Sequence, residues 1–194
     1  NDPITTVAIR GAANSDLLGK LQLRGRVQRS DGEAQFAFKA TNMPLTHGLV
    51  TRFPNLCPTH VGAGLQLDAL AQIQGQISYH PRNAQPLYYD VHCAIEKGSV
   101  QHPHLPLPMD NLSAKLQCTG GELQVHQLNA QSGDTLVCAT GIGLIADLEH
   151  NFEVELDLKH VMLGDELANR LPDKIRDLHR MFQPNGPTSI QISC

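Results

Sequence analysis

Phe152-Glu153-Val154-Glu155-Leu156-Asp157-Leu158 alternates apolar and acidic residues without a break, and its reading decides the fold. Successive side chains of an extended strand point to opposite faces, so a period of two gives one apolar and one wet side, the pattern of a half-buried β-strand. A helix would scatter the same residues around its circumference. Upstream, Leu112, Ala114, Leu116 and Cys118 alternate with Asn111, Ser113, Lys115 and Gln117 in the same way. Comparable segments occupy residues 4–10, 21–27, 36–40, 73–79, 89–95, 123–130 and 136–142. Ser30-Asp31-Gly32, Lys97-Gly98, Gly120-Gly121 and Ser132-Gly133-Asp134 lie between them and accept the backbone angles of reversals. The expected fold is therefore mainly β, with antiparallel strands joined by tight turns. Within 123–130 the apolar phase slips from odd to even positions near His126 and Gln127, which predicts a β-bulge.

Two regions depart from alternation. Leu163, Leu167 and Leu171 recur every four residues up to Pro172, and Ile175, Leu178 and Phe182 continue at helical spacing until Pro184-Asn185-Gly186. The spacing predicts a helical insertion over about 163–182, and a second is expected over about 43–65. Residues 42–54 superpose without a gap on residues 160–172, at an offset of 118 residues from Asn42 to His160. Leu45, Leu49, Phe53 and Pro54 then fall on Leu163, Leu167, Leu171 and Pro172. Extending the match gives an internal repeat in which about 36–77 corresponds to about 154–193, as expected of an extended, repeat-built architecture. The chain reads as one β-groove segment, 1–194, of a larger protein.

Composition narrows the function. The chain carries 15 Lys and Arg against 19 Asp and Glu, for a formal net charge of −4, with the basic residues mostly scattered. Nucleic acid is a poor partner for such a surface, because phosphate neutralisation needs clustered cations. The densest basic run, Lys20, Arg24, Arg26 and Arg29, reads as a solvated strand face. Cys57, Cys93, Cys118, Cys138 and Cys194 show neither CxxC nor zinc spacing. Cys93, Cys118 and Cys138 are placed on the apolar sides of their strands, as small buried hydrophobes or, alternatively, as disulfide partners.

Chemistry-bearing motifs are sparse. His102-Pro-His104 and Cys57-Pro-Thr-His60 each offer two ligands without a third or fourth nearby, so no metal and no cofactor is expected. There is no G-x-S-x-G elbow, no P-loop and no dinucleotide glycine fingerprint. Glu153, Glu155 and Asp157 line one strand face, as the wet side of an amphipathic strand does. No catalytic residue is expected, and the reading is of a non-enzyme.

What remains is a surplus of one-sided strands with little helix to cover them. Either the sheet closes on itself as a barrel or sandwich, or its apolar side is a groove for a greasy guest. The expected groove residues are Phe36, Phe38, Ile73, Ile77, Val91, Ile95, Leu112, Leu116, Leu123, Val125, Leu136, Phe152, Val154, Leu156 and Leu158. Small facing residues such as Ala40, Gly75, Ala114 and Cys138, with only 4% aromatic content, suit flexible acyl chains. The competing reading is a structural repeat or interaction scaffold with a self-packed core.

The alternating strand 152–158, the Leu163, Leu167, Leu171, Pro172 run, the basic stretch Arg176 to Arg180 and the Pro184-x-Gly186 turn resemble the AsmA-like superfamily of bacterial envelope proteins. Leu112 to Gly121, then Leu123, Leu128 and Gly133-Asp134 to Gly141, are similar to that superfamily's recurring strand, turn, strand unit. The resemblance spans about 87–193, and 36–77 more loosely. It implies an elongated, curved antiparallel sheet forming a hydrophobic groove that carries lipid acyl chains, of the translocation-and-assembly or bridge-like lipid-transfer type. It further implies a periplasmic location, a parent protein anchored in the inner membrane, neighbouring repeats of that parent as partners, and membrane contact through parts outside this chain.

Overall fold

The computed structural model describes residues 5–46, 48, 64–102, 105, 108–147, 151–162 and 186–193. Ten strands follow one another: β1 (Thr6–Ser15), β2 (Gly19–Gln28), β3 (Ala34–Thr46), β4 (Gln66–Tyr79), β5 (Leu87–Gln101), β6 (Asp110–Thr119), β7 (Glu122–Ser132), β8 (Thr135–Leu144), β9 (Phe152–Met162) and β10 (Pro187–Ser193). They form one sheet in sequence order, each strand antiparallel to its neighbours, with β1 and β10 at the two open edges. The described residues thus make a single layer, neither a closed barrel nor a sandwich.

Even-numbered strands run from an upper to a lower end and odd-numbered strands run back. The lower end is closed by short connections between β2 and β3, β4 and β5, β6 and β7, and β8 and β9. Gly120 and Gly121 turn β6 into β7 with φ of 57° and 95°, a left-handed pair that a side chain would strain. Connections after β3, β5 and β9 leave from the upper end.

Because residues directly opposite in antiparallel strands share a face, the register assigns every side chain. One face carries Leu21 and Leu23, Phe36 and Phe38, Ile73 and Ile77, Val91 and Cys93, Leu116 and Cys118, Leu123 and Val125, Val154 and Leu156, and Ile190 and Ile192. The other carries most of the Gln, Lys, Arg, Asp and Glu residues. Alternation in sequence has become an apolar face running across all ten strands.

Bulges interrupt the ladders, and the one expected at His126 and Gln127 is present against both neighbouring strands. Three others share a construction. Asn42, Asn111 and His160 have φ of 55°, 52° and 57° and sit at register shifts in β3, β6 and β9. Each is followed by a buried apolar residue, Met43, Leu112 or Val161. Asn tolerates the left-handed region better than most residues, so two of these kinks have a local cause. Asn42 and His160 are also the positions superposed at the head of the internal repeat.

Three expectations need correction. Met43 to Thr46 do not begin a helix but extend β3 and pair with Asp68 to Ala71. The rest of that insertion, apart from Gly48 and the strand entry at Gly64 and Leu65, and all of 163–182, lie outside the described residues. No helix among the described residues is long and apolar enough to cross a membrane. Lys97-Gly98 is no turn: both lie inside β5, where Gly98 packs so close to Ala69 that an added Cβ would collide with that side chain. Finally, β8 sits in the opposite phase, with Val137, Ala139, Gly141 and Gly143 on the apolar face and Leu136, Cys138 and Ile142 on the hydrophilic one.

Candidate functional site

Among the described residues the apolar face spans all ten strands, and its two ends differ. At the upper end the buried residues collect: Ala40, Met43, Ala69, Ala71, Leu112, Ala114, Ala130, Val137 and Val161. Leu112, Ala130 and Val137 form the centre of a cluster into which Leu67, Ile95, Val100, Met109, Leu128, Leu156 and Leu158 pack. Most of these side chains are small, and the bulges at Asn42, Asn111 and His160 sit beside them.

Toward the lower end the side chains grow and burial falls. Phe36, Ile77, Tyr89, Leu123 and Phe152 are half-buried, Tyr79 is 42% exposed and Leu87 55% exposed. Here aromatic rings lie over glycines on the opposite strand. Phe36 faces Gly25, Phe38 faces Gly75 and Phe152 faces Gly143, and a Cβ at any of these glycines would run into the ring. The glycine makes room for the ring, and the ring covers backbone that the glycine exposes.

All expected groove residues except Leu136 lie on this face: Phe36, Phe38, Ile73, Ile77, Val91, Ile95, Leu112, Leu116, Leu123, Val125, Phe152, Val154, Leu156 and Leu158. Leu136 lies opposite Gln131 and Lys159 on the hydrophilic face and is 40% exposed; Val137 takes its expected place. The phase of β8 was illegible locally because both of its faces are apolar or small. Gly141 and Gly143 belong inward because Phe152 on β9 needs their space, a non-local cause. Ala69, Ala71, Tyr79, Leu87 and Tyr89 also belong to the face, and the same alternation extended by a few residues would have found them.

Among the described residues the apolar side is a broad face. Hollows open instead on the hydrophilic side. One of about 600 Å³ is lined by Gln124, His126, Thr140, Ile142, Glu153, Glu155 and Ser193. Another of about 680 Å³ is lined by Arg10, Arg24, Arg26, Gln35, Gln76, Ser78, Tyr88 and Asp90.

Polar groups on the hydrophilic side tie strands together. Asp90 accepts hydrogen bonds from Gln117 Nε2 at 2.9 Å and Thr119 Oγ1 at 2.8 Å, and lies 3.4 Å from His92 Nε2. Gln117 Oε1 in turn meets His126 Nε2 at 3.1 Å. The donated hydrogen bonds from Gln117 and Thr119 hold the Asp90 carboxyl below the usual carboxylate range. This network spans β5, β6 and β7 and fastens their register.

Cysteine chemistry is muted. Cys93, Cys118 and Cys138 are free and half-buried, and burial pushes the Cys93 thiol up, which keeps it protonated and unreactive near neutrality. Burial, with the Cys118 thiol beside it, also raises Tyr89. Cys138 is corrected to the hydrophilic face, opposite Asn129 and Asp157. Among the described residues no group of three or more His, Cys, Asp or Glu could hold a metal ion. Cys57, His60 and His104 lie outside them. Comparison with protein-family models, with curated proteins and with solved structures finds no match for this chain.

Proposed function

We propose that the chain is a non-catalytic lipid-binding module, whose apolar sheet face takes up acyl chains within a larger bacterial envelope protein of phospholipid transport or outer-membrane biogenesis. The observation that carries this reading is an apolar face continuous over all ten strands, whose lower part keeps large side chains half-exposed in a single layer. Monomeric soluble proteins rarely leave a wide apolar surface uncovered unless it meets something. A ten-residue strand rises about 33 Å, enough to lay a lipid tail along it. Each methylene removed from water contributes about 0.8 kcal/mol, so a tail needs no directional partner to bind. The mixture of Ala, Gly, Leu, Ile and Val gives a surface to which a flexible chain conforms. The resemblance to AsmA-like proteins points the same way and supplies the proposed periplasmic setting, with a parent anchored in the inner membrane.

Native mass spectrometry of the purified chain, paired with uptake of a fluorescent fatty acid, tests the proposal. Co-purified phospholipid and saturable uptake are expected; absence of both contradicts it. One observation favours the scaffold reading for part of the molecule: the upper end is already packed by the chain's own Leu112, Ala130 and Val137 cluster. If that packing extended over the whole face, hydrophobic dyes would find no surface and the scaffold reading would stand.

A further inference from the structure

The hollow of about 680 Å³ on the hydrophilic side has arginines at one end and an exposed tyrosine ring at the other, and we infer that it binds a phosphorylated sugar, free or as the headgroup of a glycolipid. The inference rests on the hydrophilic face and is independent of acyl chains on the apolar one.

The register gives the hollow a local cause. Arg10, Arg24, Ala37, Gln76 and Asp90 stand directly opposite one another in a row across β1 to β5. The next row on the same face is Ala8, Arg26, Gln35, Ser78 and Tyr88. Ala37 and Ser78 are short, so the face dips between the arginines of β2 and the longer side chains of Gln76, Tyr88 and Asp90. A further strand beside β1 would widen the sheet without covering this face.

One end suits an anion. β1, β2 and β3 contain no Asp or Glu. Arg10 lies directly opposite Arg24, with about 5 Å between Cβ atoms. Arg26 follows Arg24 by two residues, about 7 Å along the strand. Arg10 and Arg24 make no ion pair with any described residue. Arg26 is held in place by Gln35, donating to its Oε1 from Nε at 3.1 Å and from Nη2 at 2.7 Å. Like charges directly opposite disfavour a sheet until an anion sits between them. Three guanidiniums in a triangle match the outward oxygens of one phosphate monoester.

The other end suits hydroxyls and a ring. Tyr88 is 52% exposed on a polar face, where its ring offers an apolar platform to a sugar ring. The contacts of Asp90 with Gln117, Thr119 and His92 all fall on Oδ1, which leaves Oδ2 to accept from a hydroxyl. Gln76, beside Asp90, supplies an amide that both donates and accepts. Three strand spacings, about 14 Å, separate Arg26 from Tyr88, a span that a phosphorylated disaccharide covers and a bare phosphate does not.

Isothermal titration calorimetry of the full chain with trehalose 6-phosphate tests this. Saturable binding is expected, about tenfold or more tighter than that of inorganic phosphate or of trehalose. Arg24→Gln should weaken it by about tenfold or more with unchanged circular dichroism. Tyr88→Ala should weaken the sugar phosphate several-fold and leave the binding of inorganic phosphate unaltered, a split that loss of structure does not give. Release of the chain by trehalose 6-phosphate from phosphatidylcholine vesicles bearing lipid A would identify the source as a glycolipid headgroup, and binding of the soluble sugar phosphate alone would identify a free one; either supports the site. No saturable binding by the parent chain, equal affinity for inorganic phosphate, or an Arg24→Gln variant that binds as the parent does overturns the proposal. So does tighter binding of adenosine monophosphate, which would assign the tyrosine to a nucleobase.

Discussion

The upper and lower ends of the apolar face are built from the same strands, yet one is packed and the other half-open. At the upper end Ala40, Ala69, Ala71, Ala114 and Ala130 are buried together with Met43, Leu112, Val137 and Val161. At the lower end Phe36, Ile77, Tyr79, Leu87, Tyr89 and Phe152 stand taller and stay partly exposed. Side-chain size and bulge placement, not overall hydrophobicity, separate the two. Under the proposed function the difference divides the labour: the upper end holds the sheet, and the lower end would offer its half-exposed surface to a guest.

Substitutions can break that division. Leu112→Ala should have the largest effect on stability, about 2–5 kcal/mol, because it empties the centre of the packed cluster; chemical denaturation measures it. Gly143→Val should follow at about 1–3 kcal/mol, since the new side chain meets the Phe152 ring and the Asn151 carbonyl. Phe152→Ala in the same chain should relieve the ring contact but not the one with the Asn151 carbonyl, so only partial rescue is expected. Leu87→Gln, at a position 55% exposed, should cost no more than about 0.5 kcal/mol. It should nevertheless weaken uptake of a fluorescent fatty acid, while Leu112→Ala variants that remain folded should retain uptake. The reverse ranking would erase the distinction between the two ends.

The smallest effect concerns pH. Asp90 has its carboxyl held low by Gln117 and Thr119, so its contribution is present above the unfolded value, near 3.8, and is lost as pH falls through the lowered one. Asp90→Asn should therefore flatten the acid limb of the stability profile slightly and leave the neutral region nearly unchanged. An unaltered acid limb would show that the network does not fasten β5 to β6.

Much of this was readable in the sequence wherever the two faces of a strand differ in polarity. Phe152 to Leu158 and Leu112 to Cys118 are such strands, and their phase survives in the fold. β8 was not readable, because Leu136, Val137, Cys138, Ala139 and Ile142 give no contrast and the phase is set across the sheet by Phe152. Lys97-Gly98 carries local turn chemistry, but pairing with Ala69 and Leu70 keeps it extended. The bulge at His126 left a visible slip of phase, whereas those at Asn42, Asn111 and His160 left only a residue type that tolerates positive φ. The packing contrast between the two ends depends on neighbours far apart in sequence, and no single segment reveals it.

Site-specific photocrosslinking reaches the central claim most directly. Benzoylphenylalanine placed at Leu87, on the lower apolar face, and in a second protein at Gln76, on the hydrophilic face, is irradiated with bound phospholipid. Lipid adducts at Leu87 and none at Gln76 are predicted; equal labelling at both, or none at Leu87 while lipid remains bound, would contradict the account.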